Sequence, residues 1–260
     1  MTRPPILDGK KPLSPSVFQP EALLRKARRQ KGLGNEGVPS VCLLDPDGDI
    51  VQRLKHEGRA SRAPAWPCYH TDLFTFALAG KTVGIVGCAV GAPFAVLVAE
   101  ELFVSGCAAL ISLTSAGQIV PAGPPPYFVI IDRALRDEGT SYHYAAPAEF
   151  ADAQPSIVRA AFDAAQSTGV RVVVGPSWTT DAPFRETEEA IQRARTRGIL
   201  AVEMEAAALY TLARAKSFRI LCIAHVTNSM GLAEQDFEKG EQDGTTDALK
   251  LFAAVAATLR

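Results

Sequence analysis

Short apolar runs alternate along this chain with stretches of mixed, helix-favouring composition, and the alternation begins only at Ser40. The runs at 41–44, 108–113, 127–132, 170–175, 198–202 and 219–227 have the length and β-branched content of buried strands. Residues 73–79 and 82–86 predict a hairpin turning about Gly80 and Lys81. Between them the pattern predicts helices at 94–103, 155–167, 186–197, 206–215 and, after a polar loop, 245–259. Strands alternating with helices predict an α/β fold with a mixed or parallel sheet covered on both faces. The start of the chain is different. Pro4, Pro5, Pro12, Pro15 and Pro20 break it, and Arg25, Lys26, Arg28, Arg29 and Lys31 form a basic run before Gly32 and Gly34. This predicts an N-terminal arm with a short helix over 1–38, followed by one domain over 39–260. The basic run reads as a solvated face, or as an oligomer contact or anion site.

Composition narrows the function more than the fold. A chain of 260 residues with 47% hydrophobic content can build the core of one large α/β domain. A formal net charge of −1 argues against a partner such as nucleic acid or an acidic membrane, which needs a basic field, and favours a small neutral or anionic ligand. Cys42, Cys68, Cys88, Cys107 and Cys222 are odd in number, widely spaced and mostly inside apolar runs, with no CxxC. They read as reduced core residues rather than a disulfide frame or metal site. No leader-type apolar segment and no run of about 18 apolar residues is present, so a cytoplasmic location is expected.

The candidate chemistry sits where apolar runs end. Glu203, Met204 and Glu205 interrupt apolar sequence at the point where the strand 198–202 hands over to the helix 206–215. In open α/β sheets ligands bind at the carboxyl ends of strands, and a buried carboxylate is costly unless something pairs with it. Two hydroxyls of a sugar are natural partners. An exposed helix N-terminus, which also favours acids, is the alternative. Thr114, Ser115, Ala116 and Gly117 close the strand 108–113 as a turn able to offer hydroxyls and amides to a phosphate or sugar, and His225, Val226, Thr227 and Asn228 end another strand in the same way. Gly84, Gly87 and Gly91 follow a strand and precede a helix, but their GxxGxxxG spacing is not the GxGxxG of a dinucleotide site, and the next strand lacks the ribose acid. They still let a ligand approach backbone amides at a helix N-terminus. No GxxxxGK[ST], GxSxG or HExxH occurs. The turn Asp45, Pro46, Asp47, Gly48, Asp49 begins like a calcium loop but lacks its glycine and final glutamate, since Ile50 and His56 stand there. The segment 137–144, dense in hydrogen-bonding groups, reads as a loop bonded to itself, or as a site rim or subunit contact; His143 within it is a candidate general base to which the sequence assigns no partner.

A Gly-rich turn before the helix bearing Ala99, Glu100, Glu101 and Leu102, a TSAG strand end, the segment VEMEAAAL and a VTN strand end come in an order that resembles the nucleoside phosphorylase family, which includes uridine phosphorylase, hexameric purine nucleoside phosphorylase and methylthioadenosine nucleosidase. The similarity spans 41–228 and VEMEAAAL is its most specific part. It implies a single α/β domain, a central twisted mixed sheet forming a distorted barrel with flanking helices, assembled as a homodimer or homohexamer. It implies that Glu205 holds the ribose 2′- and 3′-hydroxyls with Met204 against the sugar, and that Ser115, with Ala116, Gly117 and Gly91, forms the phosphate or nucleophile site. Asn228 falls where purine members carry an Asp that protonates the base. His70 matches a histidine of the ribose site, although Thr71 replaces the arginine that follows it in uridine phosphorylase. The ring against the base is carried by Phe184 or Trp178.

The departures from that pattern bear on mechanism. The family's GDPxR turn is here Leu44 to Gly48, and Ser112 stands where a second phosphate arginine belongs. Two guanidinium forks, the best charge-assisted donors for phosphate, are therefore missing. Arg53, Arg62 or Arg133 takes over, or phosphate is not the nucleophile. Asn228 cannot give up a full proton but can hydrogen-bond a 6-oxopurine or pyrimidine. The first expectation is thus phosphorolysis of such a nucleoside, with phosphate as co-substrate and no metal or organic cofactor. The second is hydrolysis, with Asp45 or Asp47 as base for water. The third is a silent nucleoside-binding protein.

Overall fold

A computed structural model describes residues 4–12, 14–229 and 244–259. In chain order the first elements are α1 (Pro20–Lys31), β1 (Val41–Asp45), α2 (Asp49–His56), β2 (Ala60–Arg62), β3 (Phe74–Leu78), β4 (Lys81–Gly87) and α3 (Ala92–Val104). Next come β5 (Ala109–Gln118), β6 (Tyr127–Asp137), β7 (Phe150–Asp152), α4 (Pro155–Ala165), β8 (Val172–Thr180) and α5 (Glu188–Thr196). The remaining elements are β9 (Ala201–Glu203), α6 (Ala206–Lys216), β10 (Arg219–Ser229) and α7 (Thr245–Ala256).

All the strands join one mixed sheet that closes on itself. β10 pairs parallel with β5 and antiparallel with β6; β6 and β8 are parallel, β8 and β9 parallel, and β9 returns antiparallel to β5. This ring is the distorted barrel, and β1, β4, β3 and β2 extend the sheet from β5. Closure removes two open edges, whose unpaired backbone groups need partners.

The longest strands explain where local pattern and structure part. The turn expected at Thr114 to Gly117 is instead the second half of β5, held in register by β10 on one side and by β9 on the other, where Gly117 faces Val202. β6 and β8 likewise continue to Asp137 and Thr180, because they pair with each other across an irregularity. Polar residues remain in a strand when tertiary pairing satisfies their backbone. The acidic turn after β1 leads directly into α2, which the apolar pattern does not announce: buried Asp45 accepts the Val51 amide at 2.9 Å and so holds the helix's first turn. The hairpin is present, reversing at Ala79 and Gly80, with Lys81 already in β4. The polar loop expected before α7 lies, over 230–243, outside the described residues.

α6 is nearly buried all round, from Ala206 to Leu212, as small residues allow. Its Tyr210 hydroxyl donates to the Ile131 carbonyl at 2.6 Å and accepts the Cys222 amide at 3.0 Å, fixing the helix to β6 and β10. α1 packs on α3. Its basic run is used in part as mortar: Arg28 donates to the Ala65 carbonyl at 3.1 Å and Lys31 to the Cys68 carbonyl at 2.6 Å. Among the described residues no helix is long and apolar enough to cross a membrane.

Candidate active site

The two acids of the β9–α6 junction have different surroundings. Glu203, at the end of β9, is saturated: Oε1 accepts the hydroxyls of Ser177 at 2.9 Å and Thr179 at 2.5 Å, and Oε2 accepts the amides of Glu205 and Ala206, each at 2.7 Å. It thereby takes up amides at the start of α6 that have no partner within the helix. Burial still raises its pKa against these bonds. Glu205 is 1% exposed, yet only its Oε1 is bonded, to the Gly91 amide at 2.7 Å. Oε2 has no hydrogen-bond partner, although the Thr114 hydroxyl lies near enough to favour its ionised form. Burial, then the Glu203 carboxylate beside it, pushes Glu205 up to about 8. A buried carboxyl with one oxygen fixed and one open is prepared for a polar ligand.

Gly91 reaches Glu205 because its backbone has φ +91°, a conformation glycine adopts without strain, at the cap of α3. The other glycines of the Gly-rich turn serve packing. A Cβ on Gly87 would collide with Val51 of α2.

Around Glu205 lies a cavity of about 280 Å³. Thr114, Ser115, Ala116 and Gly117 line it from β5, Met204 from the junction, and Thr227 and Asn228 from β10. The pairing of β10 with β5 shifts register between Val226 and Asn228, and Asn228 comes opposite Gly117. Asp47, from the turn after β1, closes the Ser115 side: its carboxylate accepts the Ser115 amide at 2.6 Å and the Ser115 hydroxyl at 2.9 Å. The turn after β8 brings Pro183, Phe184 and Glu186 to the rim. Phe184 is 99% exposed.

Glu205, Met204, Asn228, Ser115, Ala116, Gly117 and Phe184 thus share one cavity, and Gly91 is bonded to it. Two expected residues stand elsewhere. Trp178 is buried in a small core cluster with Ile119, Ile191, Ala194, Ile199 and Val202, its indole donating to Asp137 at 3.0 Å, so its ring is not available to stack on a base. His70 is exposed beside Tyr69 and Phe94 and does not line the cavity. The replacement arginines are also elsewhere. Arg53 pairs with Glu57, Arg62 with Asp72, and Arg133 lies over Phe150. No Lys, Arg or His is among the described residues lining the cavity. Of the candidate bases, Asp47 is in the cavity and Asp45 is committed to α2. The segment 137–144 is largely bonded to itself and its surroundings, with Glu138 accepting the Ser141 amide and Asp181 the Gly139 amide. His143 meets Lys10 at 3.1 Å, outside the cavity.

Sequence reasoning missed Glu186. It lies in a stretch of charged residues that reads as a helix start, and only the fold turns it toward the cavity. Burial alone raises it to about 7.

The sequence profile of the phosphorylase superfamily matches residues 40–260. The chain belongs to this family. Among its relatives are the uridine phosphorylase of Thermococcus kodakarensis, 29% identical over 253 residues, covering 84% of this chain and 88% of that protein. A DeoD-type purine nucleoside phosphorylase of Caldanaerobacter subterraneus is 30% identical over 190 residues, 70% of this chain and 80% of that one. Solved structures of uridine phosphorylase from Vibrio fischeri (TM-score 0.73, 21% identity, 88% of this chain and 95% of that chain) and of purine nucleoside phosphorylase from Toxoplasma gondii with immucillin-H (TM-score 0.76, 18%, 88% and 94%) have the same fold. The mixed barrel with flanking helices is therefore the nucleoside phosphorylase fold.

Proposed function

We propose that the Glu205 cavity binds a pyrimidine or 6-oxopurine nucleoside and breaks its N-glycosidic bond by phosphorolysis. The observation that carries this reading is Oε2 of Glu205, a buried carboxyl oxygen with no hydrogen-bond partner, on a residue that lines a cavity whose wall carries further polar strand ends. A pair of sugar hydroxyls satisfies it. As the bond to the base lengthens, the ribose becomes cationic, and the Glu205 carboxyl group fixed through the Gly91 amide holds the ring in place for attack. Asn228 offers both a donor and an acceptor to the base edge. Phosphate enters on the Ser115 side. The scheme needs no metal or organic cofactor.

A second reading has its own observation. Asp47 already occupies the donors of Ser115, the group that resembles the phosphate site of the family, and no cation lines the cavity among the described residues. A carboxylate there repels phosphate and suits a water molecule, which it can deprotonate as general base. Product analysis separates the two. Uridine, thymidine, inosine, guanosine, adenosine and methylthioadenosine are each incubated with and without phosphate: release of base with ribose 1-phosphate supports phosphorolysis, and free ribose in phosphate-free buffer supports hydrolysis. Binding without product from any of them would leave only a nucleoside-binding protein.

The same reading includes assembly as a homodimer or homohexamer. His70, exposed and outside its own cavity, then has a neighbour's cavity to reach. Light scattering on the full chain tests it, and a monomer at assay concentration removes His70 from the ribose site.

A further inference from the structure

The family resemblance puts Asn228 where an acid would protonate the base, and Glu186 lines the same cavity. We propose that Glu186 is the general acid of this site: its carboxyl contacts the nucleobase and delivers a proton to it as the glycosidic bond breaks. The proposal rests on the reading of the cavity as a nucleoside-cleaving site.

Three observations converge on Glu186. It lines the same cavity as Glu205 and Asn228, in the turn that also presents Phe184. Among the described residues its carboxyl has neither a hydrogen bond nor an ion pair, although the side chain is half-buried. Burial, with no neighbouring charge contributing, raises it to about 7, so that at neutral pH a large share carries the proton a general acid must give. The titratable groups sharing the cavity are Asp47 from the turn after β1 and Glu203 and Glu205 from the β9–α6 junction; Arg185, Glu188 and Glu189 flank Glu186 in the chain. All those in the cavity are acids.

The step balances without a further reagent. The electron pair of the C1′–N bond passes to the base, the Glu186 proton neutralises the base, and the nucleophile bonds to C1′. Glu186 is left as a carboxylate and regains its proton from solvent. The ligand class that suits it is a nucleobase whose anion is a poor leaving group, with an acceptor nitrogen or carbonyl facing the rim. Asn228 then contributes the neutral hydrogen bonds that orient the base.

The test compares wild type with Glu186→Gln on the best nucleoside of the panel and on 4-nitrophenyl ribofuranoside, whose leaving group departs as a stable anion and needs no proton. The variant is expected to lose about 100-fold or more in kcat on the nucleoside. On the activated riboside it should stay within about threefold of wild type, and the fall of the wild-type kcat above pH 7 should disappear. Retained nucleoside turnover, or equal losses on both substrates with an unchanged melting temperature, would overturn the assignment. A wild type that cleaves neither substrate would instead remove the nucleoside-cleaving reading, and this assignment with it.

Discussion

Two glutamates two residues apart, equally buried, are expected to respond to substitution in opposite ways. Glu203→Ala strips the start of α6 and the hydroxyls of Ser177 and Thr179 of their acceptor, so it should cost at least about 2 kcal/mol of stability, read from denaturant unfolding. Glu205→Gln leaves one oxygen on the Gly91 amide and removes a charge that burial disfavours. Its effect on stability depends on pH. The folded protein holds a proton on Glu205 up to about 8, whereas the unfolded chain releases it near 4.5, so this site's contribution is fully present below 4.5 and is lost as pH rises toward 8. The melting temperature of Glu205→Gln should therefore fall less than that of wild type between pH 5 and pH 8, and parallel curves would place Glu205 in a wetter setting. Asp47→Asn tests the nucleophile side. Removing that charge beside Ser115 should lower the KM for phosphate about tenfold if phosphate attacks there, while loss of phosphate-independent turnover would establish Asp47 as the base for water. At this scale the site was legible in part. Glu205 announced itself as a charge amid apolar residues, whereas nothing local told Glu203's saturation from Glu205's open oxygen, or turned Glu186 inward.

At the scale of elements, the site depends on junctions rather than on the elements themselves. The Gly-rich turn after β4 lets α2 approach closely and frees the Gly91 amide for Glu205. Gly87→Ala should cost about 1–3 kcal/mol, because the added methyl collides with Val51 and approaches the Gly48 Cα at the start of α2. An unchanged unfolding midpoint would show that α2 can shift freely. The turn after β8 carries Phe184 almost wholly in solvent, so Phe184→Ala should leave stability within about 0.5 kcal/mol of wild type. It should raise the KM for nucleoside severalfold if the ring covers the base. Apolar runs marked the strand cores well, from Val41 to Leu44 and from Arg219 to Thr227. They failed where β5 carries its polar half through the barrel wall, since Thr114 and Ser115 look like a turn until β10 and β9 are known to flank them. The same limit hid α2, whose first turn is held by Asp45 from the preceding strand.

For the molecule as a whole, alternation of strands and helices was enough for an α/β reading, and the VEMEAAAL segment for the family. Closure of the barrel was not visible in composition or period, because it depends on β10 meeting both β5 and β6 across long sequence separations. That closure gathers the ends of β5, β9 and β10 with the turns after β1, β4 and β8 around one cavity. The decisive measurement is kcat/KM for the best nucleoside in wild type and Glu205→Gln, at equal folded concentration. A fall of at least about tenfold is expected above pH 8, where Glu205 is ionised, from the loss of one charged hydrogen bond that strengthens as the ribose becomes cationic. Unchanged kinetics would contradict the assignment of Glu205 to the sugar and, with it, the reading of this cavity as the active site.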